Sequence, residues 1–173
     1  MAHNLNYNQN TGKHSFFSVK EKAWHNLGTI VENHPTSAEA IQFAGLDYEV
    51  VKQNIYTTSY NADGQAMDFT NRIKTHFATM RPDTGEILGI VGSKYEIVQN
   101  KTAFTFFDSL VSDATGIKYE TAGALGNGER IFITAKIPEV IKVGRKDIIE
   151  EYIFLTTSHD GSGSIMAAFT PIR

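Results

Sequence analysis

The branched aliphatic side chains of this chain are mostly β-branched: Ile and Val number 26 against 7 Leu, and Thr adds 17 more β-branched residues. Two heavy atoms on Cβ restrict χ1 and suit a pleated surface better than a helix. The pattern agrees, because apolar and polar residues alternate with period two over 48–58, 72–80, 87–98, 117–124, 130–137, 152–157 and 165–169. Between these runs stand short Gly, Asn and Asp segments: Pro82 to Gly85, Gly126-Asn127-Gly128, His159 to Gly163, and a fourth at Val143 to Asp147. Such residues tolerate positive φ and close hairpins, and connections this short cannot carry parallel crossovers.

Two segments read as helices. Thr36 followed by Glu39 forms a capping box, and the helix runs over 37–44 to a stop at Gly45. In the second, Asn100 is the expected N-cap, with Ala103, Phe104, Phe107, Leu110, Val111 and Ala114 at helical spacing before Gly116. The expected fold is α+β, an antiparallel sheet with two helices on one face. Residues 1–34 read as an N-terminal extension and 35–173 as one domain. A shift of 77 residues lays Phe77, Thr79 and Asp83 on Phe154, Thr156 and Asp160, and a shift of 71 matches Asp47-Tyr48-Glu49 with Lys118-Tyr119-Glu120. An α-β-β-β duplication and the ordinary likeness of hairpins both account for this.

At 173 residues and a formal charge of −3, the chain can bury a core but carries no global positive field for nucleic acid or anionic lipid. Cysteine is absent, which removes disulfides and thiolate chemistry and is compatible with a reducing cytoplasm. The N-terminus lacks an apolar signal segment, and no run approaches membrane-spanning length, so a cytoplasmic location is expected. The run from Ile165 to Arg173 is apolar with no polar tail, as if cut from a longer protein.

The six histidines at 3, 14, 25, 34, 76 and 159 show no metal-binding spacing and read as scattered surface or capping residues. Ser158-His159-Asp160 holds the letters of a hydrolytic triad, but neighbours in a turn diverge. Gly123 to Gly128 leads into a strand rather than a helix N-terminus, so it reads as a hairpin and not a phosphate loop. No cofactor is implied, and the reading leans away from an enzyme.

One strand face stands out. In 130–137, Ile131, Ile133, Ala135 and Ile137 share a face, leaving Arg130, Phe132, Thr134 and Lys136 on the other. Arg72, Lys74 and His76 share a face of 72–80. If the two strands lie in one sheet with these faces aligned, Phe132, aided by Lys94 and Tyr95, forms a basic groove with a stacking platform for single-stranded nucleic acid. The plain alternative is a solvated sheet face. The only tryptophan stands in Ala23-Trp24-His25-Asn26-Leu27-Gly28, where it either stacks on a ligand or anchors the extension onto the core.

Lys22 to Gly28, Gly85 to Gly92 leading to Tyr95-Glu96-Ile97-Val98-Gln99-Asn100, Tyr119 to Leu125 and Thr170-Pro171-Ile172-Arg173 together resemble the phage/plasmid-like protein family, domain of unknown function 932. Within that resemblance Trp24, His25 and Gly28 are motif residues. It implies carriage on phages, plasmids or prophages and a further C-terminal region, and supplies no catalytic residues. Three functions follow as expectations. The first is non-enzymatic single-strand binding through Arg72, Lys74, Lys94, Tyr95, Arg130, Phe132 and Lys136. The second is a module that binds a host or phage protein through Phe132 or Trp24. The third is part of an enzyme whose main catalytic groups lie elsewhere, with His25 or His76 contributing. A continuous basic groove favours the first, an apolar patch the second, a deep polar cleft the third.

Overall fold

The computed structural model of the chain describes residues 4–111, 115–143 and 147–172. The elements run β1 (Tyr7–Asn8), β2 (Lys13–His14), β3 (Phe16–Val19), β4 (Thr29–Val31), α1 (Ser37–Phe43), β5 (Val51–Tyr60), β6 (Ala66–Met80) and β7 (Ile87–Gly92). Then come α2 (Asn100–Asp108), β8 (Lys118–Leu125), β9 (Arg130–Val143), β10 (Asp147–Ser158) and β11 (Met166–Ile172). Each period-two run therefore contains a strand. The Pro82, Gly126 and His159 turns join antiparallel neighbours as expected. Residues 144–146 of the fourth expected turn, and Ala114 of the second helix, lie outside the described residues.

The strands do not form one sheet. Six of them align as β11-β10-β9-β8-β3-β4, while β5-β6-β7 form a separate three-stranded sheet and β1-β2 a small hairpin. Nor are all pairs antiparallel, since β3 and β4 run parallel, with Phe17 opposite Thr29. The return is made over residues 20–28 by three left-handed residues, Lys20 at φ 61°, Asn26 at 58° and Gly28 at 88°. A side chain at Gly28 would place its Cβ 2.5 Å from the Phe16 carbonyl oxygen, so that turn admits only glycine. β3 sits between β8 and β4 with Phe16, Phe17 and Val19 buried, so residues expected as an extension supply an inner strand.

Both helices lie on one face of the six-stranded sheet. Helix α1 has its capping box: the Thr36 hydroxyl accepts from the Glu39 N–H and the Glu39 carboxylate accepts from the Thr36 N–H at 2.9 Å. Helix α2 ends at Asp108, earlier than the apolar spacing suggests. Asn100 is its first helical residue and not its cap; Gln99 holds the cap position, its side-chain amide exchanging hydrogen bonds with the Val50 backbone. Ala40, Ile41, Ala44, Ala103, Phe104 and Phe107 from the helices meet Phe17, Tyr119, Ala122, Ala124, Ile131, Ile133, Ala135, Ile153 and Leu155 from the sheet. Leu46, Tyr48 and Val50 close the core on the way to β5. At roughly 1.5–3 kcal/mol for each large apolar side chain, this one layer dominates the burial energy.

The order helix then antiparallel strands occurs twice, α1 before β5–β7 and α2 before β8–β11. β7 pairs only with His76 to Met80, so the β5–β6 ribbon projects beyond it.

Candidate functional site

Alternation along β9 places Ile131, Ile133 and Ala135 in the core and leaves Arg130, Phe132, Thr134 and Lys136 on the outer face. Pairing registers lay Phe16, Gly123, Phe132, Thr156 and Met166 in one row across β3, β8, β9, β10 and β11. The Phe132 ring crosses β8 above Gly123, where an added Cβ would stand 2.9 Å from the ring. Its centroid lies 6.2 Å from that of Phe16, which meets His25 edge-on at 4.9 Å; His25 in turn meets Trp24 at 5.4 Å. A line of rings thus runs over the sheet from Trp24, which is 71% exposed, to Phe132. The expectation that Trp24 anchors an extension is corrected: β3 does the anchoring, and the indole stands out in solvent. Phe132 opens into a depression of about 590 Å³ lined by Leu125, Phe154, Thr156 and Met166, with Arg130, Ser158 and Ser164 at one end.

The charges of this face are largely answered. Arg130 donates to the Ser162 hydroxyl at 3.1 Å. Lys136 pairs with Glu150 at 2.6 Å, and Glu150 also accepts from the Tyr152 hydroxyl at 2.7 Å. The Lys136 and Tyr152 bonds hold the Glu150 carboxyl below its usual range. Glu120 is the extra residue of a bulge between Tyr119 and Thr121; burial pushes its carboxyl up, against the pull of His34, whose Nδ1 lies 3.6 Å away.

The remaining expected residues do not join this face. Arg72 and Lys74 stand on β6, in the three-stranded sheet, so the two basic strands are not neighbours. β9 is paired with β8 on one side and β10 on the other throughout Arg130–Lys136, leaving no edge there for β6. The ladder with β5 also jumps from Asn54–Phe77 to Ile55–Ile73, which breaks the alternation expected over 72–80 and draws Arg72 to 5.8 Å from the Phe77 ring. Tyr95 donates to the Ser158 carbonyl at 2.7 Å and sits on the far side of the Ser158–Ser164 loop from Phe132, beside exposed Lys94. Two amides of that loop are spent within it: Ser162 N–H bonds Asp160 and Gly163 N–H bonds the Ser158 hydroxyl. His25 accepts from the Leu27 N–H at 3.1 Å, inside its turn, and exposed His76 lies 3.0 Å from the Thr75 hydroxyl.

A second constellation is one that sequence inspection does not assemble. Arg81, 1% exposed, makes a two-point contact with Asp83 (3.1 and 2.7 Å), donates to Asn6 Oδ1 and the Asn127 carbonyl, and stacks 3.7 Å from the Tyr48 ring centroid. It ties the β6–β7 turn to the N-terminal hairpin and to the β8–β9 turn. Burial pushes Tyr48 up to about 12, and its hydroxyl donates to the Gly128 carbonyl at 2.7 Å. His159, expected at the surface, is fully buried against Tyr48, ring centroids 6.3 Å apart. Its Nε2 lies 2.9 Å from Asn100 Oδ1, while Asn100 Nδ2 donates to the Leu46 carbonyl. Asn100 Oδ1 must therefore accept, which puts the His159 proton on Nε2 and leaves Nδ1 a bare lone pair without a partner. Burial pulls His159 down to about 4. The three triad letters diverge: Ser158 bonds Gly163, His159 turns inward, and Asp160 caps Ser162. The one signal for this network was the match of Asp83 to Asp160, two turns that both enter it.

Among the described residues no three His, Asp or Glu side chains converge as a metal site requires, and no helix is long and apolar enough to cross a membrane. Comparison with curated proteins and with solved structures yielded no match. A family profile, the domain of unknown function DUF932, matches residues 87–173, from β7 through the floor of the Phe132 depression to the last residue; Trp24 and the β5–β6 ribbon precede that stretch. By this match over half its length, the chain belongs to the DUF932 family.

Proposed function

We propose that this chain is a non-enzymatic interaction module of a mobile-element protein, and that its aromatic line takes an extended, mostly apolar segment of a host or phage protein. The observation that carries the reading is the run of rings from exposed Trp24 through His25 and Phe16 to the Phe132 depression, on a face where Lys136 is neutralised by Glu150. Interface energy concentrates in Trp, Tyr and Arg anchors over desolvated pockets, and this face offers Arg130 in the lining of the depression and Trp24 at the far end of the line of rings that leads to it. An apolar strand laid along it would set side chains against Phe132, Phe154 and Met166, with a polar or acidic residue meeting Arg130.

Single-stranded nucleic acid is the second reading, favoured by Arg130 and Phe132 sharing one depression. It is the weaker one because the expected basic strands are in different sheets and the face is close to neutral. The test is to select peptides by display on the wild-type chain and measure each against Trp24→Ala and Arg130→Ala, two exposed positions whose loss leaves the core intact. The expected result is at least a tenfold loss of affinity in Trp24→Ala at unchanged unfolding midpoint. Peptides that bind all variants equally overturn the reading. Labelled oligonucleotides whose anisotropy responds to salt and weakens in Arg130→Ala and Lys136→Ala would replace it with nucleic-acid binding.

A further inference from the structure

The six-stranded sheet has two edges of different character. β4, at one end, has 3 residues and leads into Glu32. β11, at the other, has 7, and from Gly161 to Ile172 the chain carries no charged residue at all. Its side chains from Met166 to Phe169 are exposed, with Phe169 at 74% and Met166 at 52%. Edges are ordinarily protected by lysine, inward charge, a bulge or a cover. Among the described residues no strand pairs with the outer edge of β11, and Pro171 is the one such device within it, near the end of the strand.

We propose that β11 is the seam of a homodimer, in which a second copy of this chain pairs with it antiparallel about a twofold axis through Ala168. A twofold seam must be complementary to itself, so that residue i meets j and j meets i. Centred on Ala168, Met166 faces Thr170 and Ala167 faces Phe169, each large side chain opposite a small one. Ile165 faces Pro171, so the residue without an N–H falls on an outer rung and the inner rungs keep their donors. Because the strand is uncharged, no like charges meet, the usual obstacle to self-pairing. The phenyl ring of Phe169 leaves solvent against the partner's backbone and Ala167. The two outer faces become one continuous surface, with a Phe132 depression on each side of the seam. At about 3.4 Å per residue the seam is only about 24 Å long, short of a standard interface, so association is expected to be concentration-dependent. This inference does not depend on what fills the Phe132 depression.

Sedimentation of the full chain over a range of low to high micromolar concentration should show reversible dimerisation. Ala168→Lys and Ala168→Glu, both on the exposed edge, each put like charges across the axis and should weaken it at least tenfold. An equimolar mixture of the two variants should recover it, which neither a peptide-binding edge nor a misfolded variant would do. A chain that stays monomeric throughout overturns the proposal. So does a dimer indifferent to both variants, or open-ended growth through pairing of β11 with β4.

Discussion

Acidification tests the buried network most directly. In the unfolded chain His159 titrates near 6.5, whereas burial holds it at about 4 in the fold. Between those pH values the unfolded state binds the proton and the native state refuses it, so stability rises with pH across the window. All of the contribution is present above pH 6.5, and it is lost as pH falls toward 4. At 1.36 kcal/mol per pH unit, the change from 6.5 to about 4 is worth about 3 kcal/mol, a large part of an ordinary domain's stability. The physical cause is burial, which seals in a partnerless Nδ1; Asp160 pulls the other way, and Arg81 adds a like charge. Urea unfolding at pH 7.5, 6.5, 5.5 and 4.5 measures the effect, followed by far-UV circular dichroism because exposed Trp24 reports the core poorly. Glu120 works in the opposite direction, since a carboxyl pushed up by burial takes its proton more readily in the fold, and Glu120→Gln should steepen the decline. Asp83 and Glu150, held low by Arg81 and Lys136, lose their contributions only as pH falls through the ordinary carboxylate range and below. His159→Gln keeps a donor for Asn100 and should flatten the curve between pH 6.5 and 5. Equal stability at pH 7.5 and 5, or the same decline in His159→Gln, refutes the assignment.

Asp83→Ala should destabilise by about 1–3 kcal/mol in denaturant unfolding, because it leaves the 1%-exposed Arg81 guanidinium without a carboxylate that is itself 41% exposed; Arg81→Met, which removes the buried charge itself, should cost less. Gly123→Ala should cost about 1–3 kcal/mol, its Cβ meeting the Phe132 ring at 2.9 Å and the Ser15 carbonyl at 2.8 Å. Adding Phe132→Ala to that variant should recover part of the loss, a non-additivity that a double-mutant cycle reads. Thr36→Ala should cost about 1 kcal/mol in thermal unfolding by removing the α1 cap. Ile133→Ala, at a position with no exposure, should cost about 2–5 kcal/mol.

Local chemistry was legible in the chain itself. β-branched alternation, Gly-Asn turns and the Thr36–Glu39 box depend on residues within a few positions of one another, and strands, hairpins and α1 follow them closely. The inward and outward faces of β9 were legible for the same reason, since a period of two assigns every side chain once one is placed. Asn100 shows where this stops: a residue type suited to an N-cap instead spends its amide on Leu46 and His159, partners 54 and 59 positions away.

Partnership between strands was decided only in three dimensions. Arg72 and Arg130 stand on strands of like pattern, yet hairpin closure assigns β6 to one sheet and β9 to another, because the sequence neighbours of β9, β8 and β10, take both of its edges over Arg130–Lys136. β3 shows the reverse, a short polar-flanked run that no periodicity singled out, drawn into the sheet because Phe17 and Val19 complete the core while Phe16 is buried on the other face against Phe132 and His25. The Arg81–Tyr48–His159–Asn100 network likewise gathers residues from separate turns and a helix start, and each is explicable only by the burial of the others. Sequence by itself determined that the segments of β5 to β11 are strands and which side of β9 is apolar. Tertiary packing determined which edges meet, and with them the line of rings from Trp24 to Phe132, because that line is written across strands rather than along any one of them.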